Sequence, residues 1–352
     1  MSQIAIAGAG LVGRLFAWAL AHAGHQVRVF DARPGPEPLF DGQGAAAFTA
    51  AGMLSPLAEL EQATPDIARL GWRSLQLWPQ ICAALSTPVR LRREGSLLLA
   101  HRQDQGAAAR VLARLRQAGA GFALPEALEA AQLQQLEPAL HAPGLQAWLL
   151  PGEGLIHPLQ AMAALHGNSP GVDWQWNSAV IVAHHHRLEL ADGRRIDADW
   201  AIDARGLGAR PALPLRGVRG EVVALELPAH GLQRPIRLMH PRHRIYLVPR
   251  SEHELLLGAS EIESEDRSAV SLQTAVELMA AAHSLMPQLG EARITRLDRN
   301  LRPALPSNAP LSVAGTGLIQ LNGLYRHGWL LAPALVQQLL EQTGLATLEI
   351  PT

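Results

Sequence analysis

Ile4-Ala5-Ile6-Ala7-Gly8-Ala9-Gly10-Leu11-Val12-Gly13 opens the chain as an apolar run that breaks into three glycines spaced G-x-G-x-x-G. Four apolar residues in succession are the pattern of a strand buried on both faces. From Arg14 the period changes. Leu15-Phe16-Ala17-Trp18-Ala19-Leu20-Ala21 is apolar nearly all round, as a helix packed under a sheet is, and Gly24 closes it. Gln26-Val27-Arg28-Val29-Phe30 returns as a second strand with Asp31 at its end. That order of strand, glycine turn, helix, strand and acid predicts a bound dinucleotide. Gly8, Gly10 and Gly13 let backbone approach a pyrophosphate at the helix N-terminus, where Leu11 and Val12 lie. Asp31, with Ala32 beside it, is placed to take a ribose hydroxyl.

At 352 residues the chain is long for a single core, so two domains are expected. A hydrophobic content of 48% with 17% charged residues describes a soluble globular protein. A net charge of −1 gives no electrostatic ground for nucleic acid or an acidic membrane as partner. The chain has no lysine, which excludes a Schiff-base lysine, a pyridoxal phosphate enzyme and a P-loop. Cys82 is the single cysteine, so an internal disulfide, an iron–sulfur cluster and a cysteine-based zinc site are excluded. Cys82 itself is expected to be buried and structural. Leu11 to Ala23 imitates a signal peptide but lacks a basic n-region and is needed as the first helix. No run reaches the length of a membrane span, and the cytoplasm is the expected location.

Arg33 to Gly44 is rich in proline and glycine and predicts a loop. Ala45 to Pro56 is too small and too apolar for a solvated loop. Its residues Thr49-Ala50-Ala51-Gly52-Met53 suit backbone pressed against a flat ligand, or a buried small-residue loop under a helix. Helical spacing follows at Pro65 to Leu85, Gln103 to Ala118 and Glu126 to Leu136, with strands at 89–91 and 96–100. After a turn at Gly152 to Pro158 and a helix at Leu159 to His166, Asp173 to Val182, Arg187 to Leu190 and Arg195 to Ala201 predict a β-meander. That meander leads into Ala201-Ile202-Asp203-Ala204 and a glycine turn at 205–208. Further strands are expected at 220–227, 236–240, 244–248 and 254–259, and a helix at 271–285. Gly317 to Gly323 is strand into turn, and Trp329 to Leu340 a helix. Nucleotide-type elements thus stand at both ends and in the middle. The expected division is a dinucleotide-binding domain of residues 1–75, 146–219 and 291–352, interleaved with a substrate domain of residues 76–145 and 220–290.

Ala50-Ala51-Gly52-Met53-Leu54, Gly154 to Pro158, Tyr246-Leu247-Val248-Pro249-Arg250, Leu301-Arg302-Pro303 and Tyr325 to Pro333 follow the Gly8–Asp31 unit in that order. Together they resemble the FAD-dependent D-amino-acid oxidase family, most of all its glycine oxidases of thiamine biosynthesis. The resemblance runs nearly end to end. It implies an α/β fold: a Rossmann-type FAD-binding domain interleaved with a smaller α+β substrate domain.

The cofactor implied is FAD, with Thr49 to Met53 along the isoalloxazine, Val180 at the adenine end, and Gly206 and Arg326 in the cofactor site. Gly328, Trp329 and Leu330 open a helix directed at the flavin pyrimidine, where its dipole would stabilise negative charge. Arg302 corresponds to the arginine that holds the substrate carboxylate. A planar, permanently charged fork suits that task, although most arginines merely bridge surface loops. Tyr246 corresponds to a tyrosine over the substrate, its ordinary alternative being strand packing. Leu324, His327 and Arg205 depart from the close glycine oxidases, which carry histidine, asparagine and alanine there. His184-His185-His186 invites a metal, but three consecutive strand residues cannot face one ion, and none is expected. His157 beside Pro158 is expected to be structural.

The implied activity is oxidation of a small amino acid, glycine favoured, by hydride transfer, with molecular oxygen as acceptor. Three alternatives stay open: an amino-acid dehydrogenase using a quinone, a flavoprotein that modifies a partner protein, and a flavin scaffold without turnover. A homo-oligomer is compatible with each.

Overall fold

The computed structural model describes residues 1–118, 123–140, 144–239 and 245–348. The opening strand Gln3–Ala7 is central to a six-stranded sheet. It pairs in parallel with Gln26–Phe30 on one side and Trp200–Asp203 on the other. Leu318–Asn322 and the antiparallel Leu311–Gly315 extend one flank, and Asp173–Gln175 the other. Because the chain leaves the central strand in both directions, its C-terminal end is a switch point, where a crevice must open. The glycine turn lies there.

Strand alternation sorts the two faces. Ile4 and Ile6 point into a core built with the helices Leu11–His22, Pro65–Ala84, Pro158–Gly167 and Gly328–Thr343. Ala5 and Ala7 point the other way, under a three-stranded meander of Val180–His184, Arg187–Leu190 and Arg195–Asp197. The small side chains allow that close cover.

A second sheet of eight strands runs in the order 293–304, 216–226, 254–258, 245–249, 236–238, 96–100, 146–150, 126–128. One face, with Val223, Leu225 and Leu257, packs on the helix Leu272–Leu285. The opposite face, with Val222, Ala224, Val248 and Leu256, meets Ala51 and Leu155 from the first unit. The site lies between these two layers.

Several expectations need correction. Glu126 to Leu136 is not one helix: Glu126–Leu128 is a strand paired with Gln146–Leu150, and the helix is Ala130–Leu136. Glu129 decides the break, because its side chain and that of Gln132 cap each other's backbone N–H groups. Asp173 to Val182 is likewise divided, its first part joining the parallel sheet and its second starting the meander.

The expected segment boundaries also differ. The eight-stranded sheet takes in residues 146–150, 216–219 and 293–304, and the helix Pro65–Ala84 runs across 75/76 within the first core. The long strand Arg293–Ala304 gave no strand signal, since its first five residues are exposed at the sheet edge. The expected strand ends at His240 and Arg244 lie outside the described residues. Cys82 is half-buried rather than buried, and its surroundings push the thiol up to about 12.

Candidate active site

A cavity of about 650 Å3 lies between the two sheets. The glycine turn forms one end. Gly8 has φ +97°, and a side chain there would sit 2.7 Å from the Ala204 carbonyl oxygen, so only glycine fits. Gly10, Leu11 and Val12 line the wall. Gly10 caps the helix with no side-chain hydrogen bond, which leaves the first backbone N–H groups free to face the cavity. Gly13 is not part of the wall. A side chain on it would overlap the Gly8 carbonyl oxygen and lie 3.6 Å from the Ile6 Cγ2, so its task is close helix–strand packing.

Asp31 and Ala32 line the same end. The sequence left the Asp31 carboxylate free for a ribose, but the structure gives it protein partners. Its Oδ2 accepts from the Ala9 N–H at 2.6 Å and from Arg33 Nη2 at 3.0 Å. Its Oδ1 accepts from the Arg33 backbone N–H at 2.9 Å and from Arg33 Nε at 2.8 Å. Burial alone would raise this carboxyl, but Arg33 outweighs it and holds the group below the usual carboxylate range. A matching pair stands at the end of the parallel strand on the other side of Gln3–Ala7, where Arg205 donates to Asp203 at 2.7 and 2.8 Å and to the Val180 carbonyl at 2.9 Å. Val180, Arg205 and Gly206 therefore share the wall.

Thr49, Ala50, Ala51, Gly52 and Met53 form one long side. Gly52 has φ +77°, and a side chain on it would overlap the Ile156 carbonyl oxygen. Asn300 donates to Thr49 Oγ1 at 3.2 Å, and Arg250 to the Ala50 carbonyl at 2.6 Å, which fixes this backbone against the second sheet.

The opposite side is the second sheet's open face. Tyr246 stands across from Arg237 on one neighbouring strand and Gly258 on the other. Burial pushes its phenol up, so it stays neutral. Arg302 donates to the carbonyls of Ser260 at 3.0 Å and Arg219 at 3.3 Å. Arg33, Arg205, Arg237 and Arg326 line this cavity with a carboxylate partner each. Arg302 has no ion pair among the described residues.

The last helix closes the arrangement with Gly328, Trp329 and Leu330 on the wall and no side-chain cap at His327. Trp329 is pinned by its Nε1 donating to the Ala47 carbonyl at 3.1 Å. Arg326, expected against the cofactor, lines the cavity but spends its charge on Glu59 at 2.8 Å and Glu261 at 3.4 Å.

Glu59 and Arg237 escaped the sequence reading. Glu59 gathers Arg237, Arg326 and His327 at 2.8, 2.8 and 2.9 Å. Burial would raise its carboxyl, but Arg237 and then His327 reverse this and hold it far below the usual range. The signal was present, since a lone acid in the apolar stretch 51–60 has to find cations when buried. Elsewhere, His157 caps the helix Pro158–Gly167 and burial lowers it to about 4. His185 and His186 bond the carbonyls of Thr316 and Asp199.

Two uncapped helix N-termini and bare glycine backbone thus face the same cavity, which fits an extended dinucleotide with a flat ring at one end. Residues 3–341 match the DAO family of FAD-dependent oxidoreductases. A putative thiamine biosynthesis oxidoreductase of Rhizobium etli is 35% identical, covering 95% of this chain and 94% of that protein. The glycine oxidase of Geobacillus kaustophilus is 27% identical, covering 98% of this chain and 94% of that protein. A crystal structure of glycine oxidase from the same organism superposes with a TM-score of 0.80 at 25% identity, covering 97% of this chain and 95% of that one. Iminodiacetate oxidase from a Chelativorans species shares the fold, with a TM-score of 0.83 at 22% identity over 99% of this chain and 97% of that one. The match across nearly the whole length, on a cavity built for a dinucleotide, makes this chain a member of the DAO family of FAD-dependent oxidoreductases.

Proposed function

We propose that this enzyme oxidatively deaminates a small amino acid, with glycine favoured. The observation that carries the reading is Arg302, a cavity guanidinium held by two carbonyls and with no carboxylate partner among the described residues. When bound, FAD supplies the hydride acceptor. Arg302 holds the substrate carboxylate in a bidentate grip, which orients Cα toward the wall formed by Thr49 to Met53. Tyr246 remains a neutral phenol and donates a hydrogen bond to the same carboxylate. Met53 and Tyr246 belong to one apolar cluster with Val222 and Ala259, so the slot between the layers is narrow and favours a small side chain.

The amine reacts in its neutral form, and no side-chain base is required. The imine released then hydrolyses in water. The uncapped N-terminus at Gly328 adds a positive dipole end to the cavity wall. Further terms of the proposal are molecular oxygen as acceptor, with peroxide as product, and a cytoplasmic location. The resemblance to relatives named glycine oxidase supports the choice of substrate.

Anaerobic mixing with a panel of amino acids tests the reading. Glycine should bleach the flavin absorbance, and readmitted oxygen should restore it with release of peroxide. A flavin that no free amino acid bleaches would sink the proposal.

A further inference from the structure

Glycine in the interior of a strand weakens it, and where no positive φ demands glycine its presence marks a close approach. Gly220 lines the cavity on the second sheet, and Gly258 lies on the same face by its register opposite Tyr246 and Val222. Neither has a positive φ, so a left-handed backbone is not what calls for glycine there. What a side chain would meet there is specific. A Cβ on Gly220 would fall within the Arg302 guanidinium, 2.5 Å from Cζ and 2.7 Å from Nη1. A Cβ on Gly258 would lie 2.5 Å from the Tyr246 hydroxyl and 2.6 Å from Cζ. Their neighbours on the same strand face, Val222 and Ala224, carry side chains.

The register explains the contact. Arg302 stands opposite Val218, and Asn300 opposite Gly220, so Arg302 reaches diagonally across the bare Gly220 to the Ser260 carbonyl. Tyr246 stands directly opposite Gly258 and lies down on it.

We propose that Gly220 and Gly258 are positioning residues of the amino-acid site, holding Arg302 and Tyr246 flat on the sheet by the absence of a side chain. The inference rests on the assignment of Arg302 and Tyr246 to the substrate. A methyl group at either position stands the polar end up from the sheet, fills the slot and misaims the carboxylate grip. The displaced atoms are the far end of a side chain rather than backbone, so the fold survives the change while the grip does not.

The test uses the FAD-loaded protein and acetate as probe, with binding read from the perturbation of the flavin absorbance. Gly220→Ala should weaken acetate about tenfold or more, the scale of a displaced charge-assisted hydrogen bond. It should raise the glycine KM, and FAD retention and Tm should match wild type. In an Arg302→Ala background the same substitution should cost nothing further, because its effect runs through the guanidinium. Gly258→Ala should likewise add nothing to Tyr246→Ala, which removes the ring that a Cβ at 258 would strike. Wild-type acetate affinity in Gly220→Ala overturns the inference, as does an equal loss in both backgrounds. Early melting or loss of FAD in Gly220→Ala also overturns it, since the sheet rather than Arg302 would then have moved. Arg302→Ala binding acetate like wild type would instead remove the substrate assignment itself, a different result from any failure at Gly220.

Discussion

Arg326, in the turn before the last helix, lies 2.8 Å from the carboxylate of Glu59 on the short helix Pro56–Glu59. Arg237 and His327 converge on the same carboxylate, so one acid joins three side chains from two distant parts of the chain. Glu59→Gln should cost about 3–5 kcal/mol at neutral pH, because it leaves buried cations uncompensated. The folded-state pKa of Glu59 is lowered, so its stabilisation is fully present above the unfolded value and is lost as pH falls below it. The deficit of the variant in denaturant unfolding should therefore be large at pH 7 and shrink below about pH 4.3, the ordinary value for glutamate. An equal deficit at both ends of that range would rule out the charge network as the cause.

The Asp31 carboxylate ties the glycine turn to Arg33, with Ala9 N–H as one donor and three groups of Arg33 as the others. Asp31→Ala should weaken FAD by about 1.5–3 kcal/mol, the range of a charge-assisted hydrogen bond. Arg33→Ala should cost a similar amount, and the double variant little more, since either change dissolves the same pair. Fluorescence titration of apoprotein with FAD measures all three. Additive losses would mean that the two residues act separately.

Gly10 and Gly13 separate binding from packing. A Cβ at Gly10 meets only Ala45 Cβ at 3.8 Å, so Gly10→Ala should leave the apoprotein Tm unchanged while obstructing FAD. A Cβ at Gly13 overlaps the Gly8 backbone, and the first strand–helix unit has to part to make room. Gly13→Ala should therefore cost about 4 kcal/mol or more, on the scale of severe core overpacking and backbone strain. Calorimetry on both apoproteins distinguishes the two roles, and equal Tm values would refute the division.

Arg302→Ala should reduce kcat/KM for glycine more than about a hundredfold, as loss of one partner of a buried pair does. Arg302→Lys should recover only part of it, because an ammonium cannot reproduce the two-pronged grip. Methylamine, which lacks the carboxylate, should lose little between wild type and the alanine variant. Undiminished glycine oxidation by Arg302→Ala would remove Arg302 from the site.

The nucleotide-binding half was legible because its information is local. Gly8, Gly10, the apolar helix and Asp31 lie within one continuous unit, where period and turn chemistry are set by neighbours in sequence. The second sheet was legible only in part. Arg293–Ala304 is arginine-rich and exposed at its start, and it becomes a strand by pairing along Arg216–Glu226 rather than by its own pattern.

The sequence by itself therefore determined a dinucleotide as the cofactor class and the strand–turn–helix that cradles it, while the roles proposed for Arg302 and Tyr246 rest on the family resemblance. Only the tertiary structure decided the charge bookkeeping around them. Asp31 proved to be engaged by Arg33, Glu59 to be the meeting point of Arg237, Arg326 and His327, and Arg302 to be held by the carbonyls of Arg219 and Ser260. The physical reason is that glycine turns and amphipathic periods are written over a few residues. The partner of a buried charge is chosen by burial across the fold, between residues as far apart in sequence as Glu59 and Arg326.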